Sequence, residues 1–312
     1  VKKLLASICL LIILCGCAGS RSAFDHSLSA SRIIDNVVLI EPELRRFEST
    51  GPFSVMSRFD REITLDLENS LVIDHFFARS SDKLPVIIIS HGNFSNKRAH
   101  RAQARHLASW GFHVVSVESP NRNQWLENGS RLKKLAEILH GFPKILGTNV
   151  DRSKIIFVGH SFGGSAAILA TGEGAPVMGA VLLDPAVVHN KVVDAMKKSD
   201  IPVALLGSDK RIFSARGRSR FLKYISGEML EVSVPKSTHD DAQGPSVFSQ
   251  AALGFDPFTS EDNQTLFRSM LTASVIGIAS SGTLDFSAKL LSKAAAHGIL
   301  EDFKYRAAFR FN

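Results

Sequence analysis

The chain has 312 residues, 45% of them hydrophobic and 21% charged, with 37 basic against 30 acidic side chains and 21 Phe. That length suits one large α/β domain or two small ones with a sizeable core, the charge density and Phe content exclude a wholly disordered chain, and a mild net charge of +7 without a Lys/Arg-rich block weighs against a nucleic-acid binder. The three cysteines, Cys9, Cys15 and Cys17, all lie in the first seventeen residues, so the body can form no disulfide, thiolate metal site or cysteine nucleophile.

Lys2 and Lys3 precede an apolar run from Leu4 to Leu14, the form of a secretory signal. Gly16 interrupts it too soon for a membrane-spanning helix, which needs ~20 apolar residues. Leu14-Cys15-Gly16-Cys17, followed by Ala18-Gly19-Ser20, resembles the lipobox of bacterial lipoproteins. The resemblance implies removal of residues 1–16 as a signal peptide and acylation of Cys17. Several acyl chains on one cysteine anchor stably where a single chain does not. The alternative is an ordinary cleaved signal with incidental cysteines. Ala18, where the family has Asp for inner-membrane retention, implies the outer membrane of a Gram-negative cell envelope. Cleavage takes away Lys2 and Lys3 and leaves +5.

Residues 17–52 read as a tether with one short element around Val37 to Ile40, and the folded domain is expected over 53–312. Ile63-Thr64-Leu65-Asp66-Leu67 and Leu71-Val72-Ile73 alternate as an antiparallel hairpin at a sheet edge. Six apolar runs follow: Val86–Ile89, Val114–Val117, Ile155–Val158, Ala180–Leu183, Val203–Leu206 and Leu230–Val234. Continuous Val/Ile-rich runs of this length mean strands buried on both faces, as in a parallel sheet. The last alternates through Glu231 and Ser233 and is placed nearer an edge. Helices are predicted over Arg98–Trp110, Arg131–Leu139, Ser165–Thr171 and Arg218–Ile225. This succession of strand and helix is an α/β fold with a mostly parallel, doubly wound sheet. After residue 245 no strand pattern is visible. Thr259 and Asp262 are spaced as a capping box before a helix through Ile276, and Ser287–His297 forms another, so 245–312 reads as a helical extension or cap.

The chemistry lies at Gly159-His160-Ser161-Phe162-Gly163-Gly164, a G-x-S-x-G directly after a strand and before a helix. Glycines are needed there because the serine must sit on a turn too tight for neighbouring side chains. A serine hydroxyl is a poor nucleophile until a base takes its proton. Of eleven histidines, His239 alone follows the last apolar strand, in Pro235-Lys236-Ser237-Thr238-His239. His91 and His160 are expected to hydrogen-bond locally. His100 and His106 are expected on a solvated basic helix face with Lys97, Arg98, Arg101 and Arg105. A third residue must orient the imidazole, and both Asp184 and Asp209 end strands in the required Ser, Asp, His order. Oxyanion-hole amides are expected from Phe162 and from Asn93 or Phe94, after Ser90-His91-Gly92.

Over roughly residues 84–245 these motifs resemble the α/β-hydrolase superfamily. Within it, the elbow followed by Leu182-Leu183-Asp184 resembles platelet-activating-factor acetylhydrolases and, more loosely, chlorophyllases and dienelactone-hydrolase-like esterases. In the acetylhydrolases the acid comes from the earlier strand, which implies Asp184. Most enzymes of the fold, and the cutinase-like esterases that are also similar here, take it from the later one, which holds Asp209 in reserve. The stretch after Gly244 matches none of these families.

Together these readings imply a lipid-anchored serine hydrolase acting on a small-molecule or lipid-like carboxylic ester. An amidase or thioesterase would use the same triad, and a non-catalytic envelope lipoprotein could use the scaffold for binding. His239-Asp240-Asp241 is a poor metal site, and no dinucleotide or phosphate-loop motif is present. No cofactor or metal is expected.

Overall fold

Apolar strands with no polar face are stable only between two layers of helix, and the computed structural model arranges them so. It describes residues 43–119, 124–209, 217–244 and 259–309. The expected signal, Cys17 and the short element near Val37 lie outside the described residues.

The strands are β1 (Val55–Thr64), β2 (Ser70–Ala78), β3 (Leu84–Ser90), β4 (His113–Glu118), β5 (Val150–His160), β6 (Gly179–Leu183), β7 (Val203–Gly207), β8 (Met229–Ser233) and β9 (Glu301–Arg306). Among the described residues they form one sheet in the order β1-β2-β4-β3-β5-β6-β7-β8-β9. The β3 to β8 block is parallel, with an antiparallel β1–β2 hairpin joined antiparallel to β4 at one side. Each of the six apolar runs lies in one of β3 to β8. The hairpin is as expected, but Leu65 to Leu67 belong to its turn, where Asp66 Oδ1 accepts the Glu68 and Asn69 N–H groups.

Seven helices are described: α1 (Arg101–Ser109), α2 (Trp125–Gly141), α3 (Phe162–Gly172), α4 (Asn190–Lys198), α5 (Ser219–Tyr224), α6 (Glu261–Ser281) and α7 (Asp285–Ala296). The period-2 alternation of the strands divides them between two cores. Ile87, Ile89, Val158 and Leu206 face α1, α6 and α7. Val86, Ile88, Phe157 and Leu205 face α2 to α5.

Several expectations need correction. The chain does not end in helices alone. β9 pairs antiparallel with β8, so β8 is near the edge, as expected, with β9 outside it. Glu231 and Ser233 are buried, not turned to solvent. Leu44 and Phe47 also pack into the core, Phe47 against Trp110 at 5.2 Å, so the folded part begins before residue 53. The cap of α6 is Ser260, whose Oγ accepts the Asn263 N–H, not Thr259. α6 is itself core, with Phe267, Met270, Leu271, Val275 and Ile276 fully buried. The expectation of a cap falls in part on residues 245–258, which lie outside the described residues.

The chain leaves β3 for β4 on one side and returns to β5 on the other. Loops after β3 and β5 therefore diverge and leave a crevice at their carboxyl ends, the place where open α/β sheets bind ligands.

Candidate active site

Ser161 is the single residue between β5 and α3, and it sits at that crevice. Its backbone, φ 53° and ψ −120°, is one that side chains rarely adopt. Steric need explains the flanking glycines. A Cβ at Gly159 would stand 2.5 Å from the Gly163 carbonyl oxygen, and one at Gly163 2.4 Å from that of Ser90. The Ser161 N–H donates to Leu183 O at 3.0 Å, and its carbonyl accepts from Gly164 and Ala186 at 3.0 and 3.1 Å. Phe162 is the first residue of α3, so its N–H has no acceptor within the helix and lies at the positive end of the helix dipole.

His239 opens a one-turn 3-10 helix, His239–Ala242, after β8. Its Nδ1 lies 2.7 Å from Asp184 Oδ2, at the end of β6. The structure thus joins Asp184 to the imidazole. Asp209 instead accepts the Lys236 N–H at 2.8 Å, bracing the loop that leads to His239. Asp184 is 1% exposed. Its Oδ1 accepts from Ser208 N at 3.0 Å and Arg218 Nη1 at 3.3 Å, and its Oδ2 also takes the Ser208 hydroxyl at 2.7 Å. Burial pushes the Asp184 carboxyl up, but the hydrogen bond and charge of His239, then Arg218 and Ser208, outweigh it and hold the group below its usual value.

The loop after β3 approaches Ser161 closely enough that a Cβ at Gly92 would lie 2.9 Å from the serine Cβ. The His91 ring fixes this loop. Its Nδ1–H donates to Gly92 O at 2.8 Å and its Nε2 accepts the Ser119 N–H at 3.1 Å. Phe94 has φ 52° and presents a half-exposed ring. The Asn93 Oδ1 is buried without a hydrogen-bond partner. Ser95 Oγ donates to Gln243 Oε1 at 3.2 Å, and Gln243 Nε2 to Asp240 Oδ1 at 2.8 Å, which ties this loop to the His239 turn. Burial raises the Asp240 carboxyl above its usual range. Asp241 accepts from Ser260 N at 2.7 Å and Asn263 Nδ2 at 3.2 Å, tying the same turn to the start of α6. Trp125 meets Phe162, the residue after Ser161, edge to face at 5.2 Å.

His100 and His106 are not on a solvated face, and neither is Lys97. All three are buried. Lys97 Nζ reaches Asp60 at 2.7 Å and Asp74 at 3.6 Å. His100 Nδ1 meets Gln103 Oε1 at 2.5 Å, and Gln103 Nε2 donates to Ala242 O at 2.9 Å, behind the His239 turn. Burial pushes His100 and His106 down to about 4, so both are neutral at physiological pH. His160 is held well below its ordinary value, first by burial and then by the charge of His239.

Sequence reasoning missed Ser208, Arg218 and Gln243. Arg218 stands in Arg216-Gly217-Arg218-Ser219-Arg220, where sequence alone does not mark one arginine of three as buried. Among the described residues, no three His, Cys, Asp or Glu side chains are grouped to hold a metal ion, and no helix is long and apolar enough to cross a membrane.

The chain matches the family model described as the alpha/beta hydrolase family over residues 86–298, from within β3 to the end of α7. A comparison with curated proteins returns no match. The matched span holds the strand–serine–helix turn, the crevice where strand order reverses and the loop that carries His239. On that match, which covers more than half of its length, the chain belongs to the alpha/beta hydrolase family and is a hydrolase.

Proposed function

We propose that this hydrolase cleaves carboxylic esters by acyl transfer through Ser161, His239 and Asp184. The 2.7 Å contact between His239 Nδ1 and the Asp184 carboxylate, in a chain whose Ser161 occupies a strained strand-to-helix turn, carries the reading. Asp184 accepts a hydrogen bond from Nδ1–H, which leaves Nε2 as the basic nitrogen. Ser161 Oγ attacks the ester carbonyl as His239 Nε2 takes its proton. The carbonyl oxygen gains negative charge and is stabilised by the Phe162 amide and the amide of Asn93 or Phe94. Collapse of the tetrahedral intermediate expels the alcohol, to which His239 returns the proton. Water, deprotonated by the same nitrogen, then releases the acid and regenerates Ser161.

Phe94, Trp125 and Phe162 border the nucleophile with apolar surface, which suits a lipid-like or small apolar ester. The lipobox-like run ending in Cys17 supports anchoring at the cell envelope, in the outer membrane. The mechanism calls for no cofactor or metal.

The test treats the leaderless protein and Ser161→Ala with a fluorophosphonate probe and follows hydrolysis of p-nitrophenyl esters of graded acyl length, with anilide and thioester counterparts. Labelling and ester turnover that both vanish in the variant are expected. Faster turnover of anilides or thioesters would move the substrate class. Neither labelling nor turnover in folded protein would leave a binding scaffold.

A further inference from the structure

Arg218 stands just before α5 and is 1% exposed. A cation so deeply buried is strongly destabilising unless its charge and its N–H groups are met. Here Nε donates to Glu231 Oε1 at 3.1 Å, Nη1 to Asp184 Oδ1 at 3.3 Å and to Ser208 O at 2.9 Å, and Nη2 to Ser233 Oγ at 2.5 Å. The guanidinium rests against β7 at Gly207, where a Cβ would come within 1.9 Å of Cζ. Glu231 is buried on β8, and its Oε2 lies 3.6 Å from Lys304 Nζ on β9. The result is a buried row of alternating charge: Glu231, Arg218, Asp184, then the His239 ring.

Were the arginine there only to staple β7 to β8, its pair with Glu231 would suffice. Its second carboxylate partner is the one that holds the imidazole. A buried carboxylate with no other counter-charge draws a proton onto the neighbouring imidazole, and a protonated imidazole is no base. Arg218 shares that carboxylate and so opposes protonation of the ring. Glu231 opposes Arg218 and weakens its hold.

We infer that Arg218 is a positioning residue for the Asp184–His239 pair, and that Glu231, acting against Arg218, sets the pH at which His239 can serve as a base. The inference rests on the proposed role of His239. Among the described residues, the other titratable groups near the imidazole include His160 from β5, with His91 and His100 behind it, and Asp240 of its own turn. They stay constant in the variants below.

The test follows the His239 imidazole by NMR in the full chain labelled with nitrogen-15 histidine, its signal assigned with His239→Gln. The acid limb of kcat/KM on a p-nitrophenyl ester is recorded in parallel. Arg218→Gln is expected to move the titration midpoint and the acid limb up by roughly one pH unit, and Glu231→Gln to move both down. Arg218→Lys, which keeps the charge without the fork, is expected to hold the midpoint near that of the wild type while kcat falls about tenfold. If Arg218→Gln does not fold, the sign of the Glu231→Gln shift decides. Midpoints that stay put, or that move the same way in both charge-removing variants, overturn the inference. Opposite shifts in a protein without turnover would uphold it and sink the ester hydrolase reading. Turnover that needs Ser161 while the midpoints stay fixed would do the reverse.

Discussion

The ring of His160, the residue before Ser161, packs against that of His239 with centroids 4.6 Å apart and planes tilted by 33°. The His160 Nε2–H also donates to the His239 carbonyl at 3.2 Å. A neutral ring thus fixes both the side chain and the backbone of the proposed base. His160→Ala is expected to lower kcat roughly tenfold or more, because small misplacements of a reacting group are costly. His160→Phe keeps the packing and should recover part of the loss. Steady-state kinetics of the two variants check this, and equal kcat in His160→Ala and wild type would refute it.

Asp184→Asn should cripple turnover, by about 10⁴ if it behaves as triad acids do, since the amide favours the wrong imidazole tautomer. Asp209→Asn should leave it mostly intact, because Asp209 accepts the Lys236 N–H while Asp184 accepts from the ring. The kcat of each variant on the same ester decides. The reverse ranking would reassign the acid and spare the rest of the mechanism.

Stability should fall as the medium becomes acidic. Burial pushes His100, His106 and His113 down to about 4 from an ordinary 6.5. Between those values the unfolded chain binds protons on these rings and the folded chain does not. Their stabilisation is therefore complete above pH 6.5 and is lost as pH falls toward 4. The loss from pH 6.5 to pH 5 should be on the order of 2 kcal/mol or more. Urea unfolding at several pH values measures it, and a flat profile over that window would contradict the burial of these rings.

The Phe94 ring is 49% exposed at the mouth of the crevice, so removing it should barely alter stability. If it packs on the acyl or alcohol chain, Phe94→Ala should lower kcat/KM about fivefold for a medium-chain p-nitrophenyl ester, the worth of part of a phenyl burial. The acetate should be little affected. An equal effect on both esters would place Phe94 in the oxyanion loop's shape alone.

The parallel sheet was legible because β3 to β8 are buried on both faces, which leaves an unmistakable apolar run. β9 was not, since Glu301-Asp302-Phe303-Lys304-Tyr305-Arg306 is two-thirds charged and pairs at an edge. The first turns of α2 were hidden by Asn128-Gly129-Ser130, poor helix formers, where a Cβ at Gly129 would meet Leu169 Cβ at 2.7 Å. α4 buries only Val192, Ala195 and Met196, too short a stripe to announce a helix. The placement of Ser161 after β5 and of His239 after β8 was readable because topology fixes where such positions fall in chain order. Arg218 and Gln243 were not, since their roles depend on contacts between distant segments. His100 and His106 were misjudged for a related reason: charged neighbours in sequence suggested solvent, while the fold turned those rings inward.

The backbone of Ser161 lies where only glycine is at ease. Natural selection for a longer-lived molecule and selection for chemistry therefore pull this position in opposite directions. Ser161→Gly should melt at a higher temperature than the wild type while hydrolysing nothing, the trade between durability and activity that functional sites often show. A lineage of this fold that lost its substrate would drift toward a small residue here first.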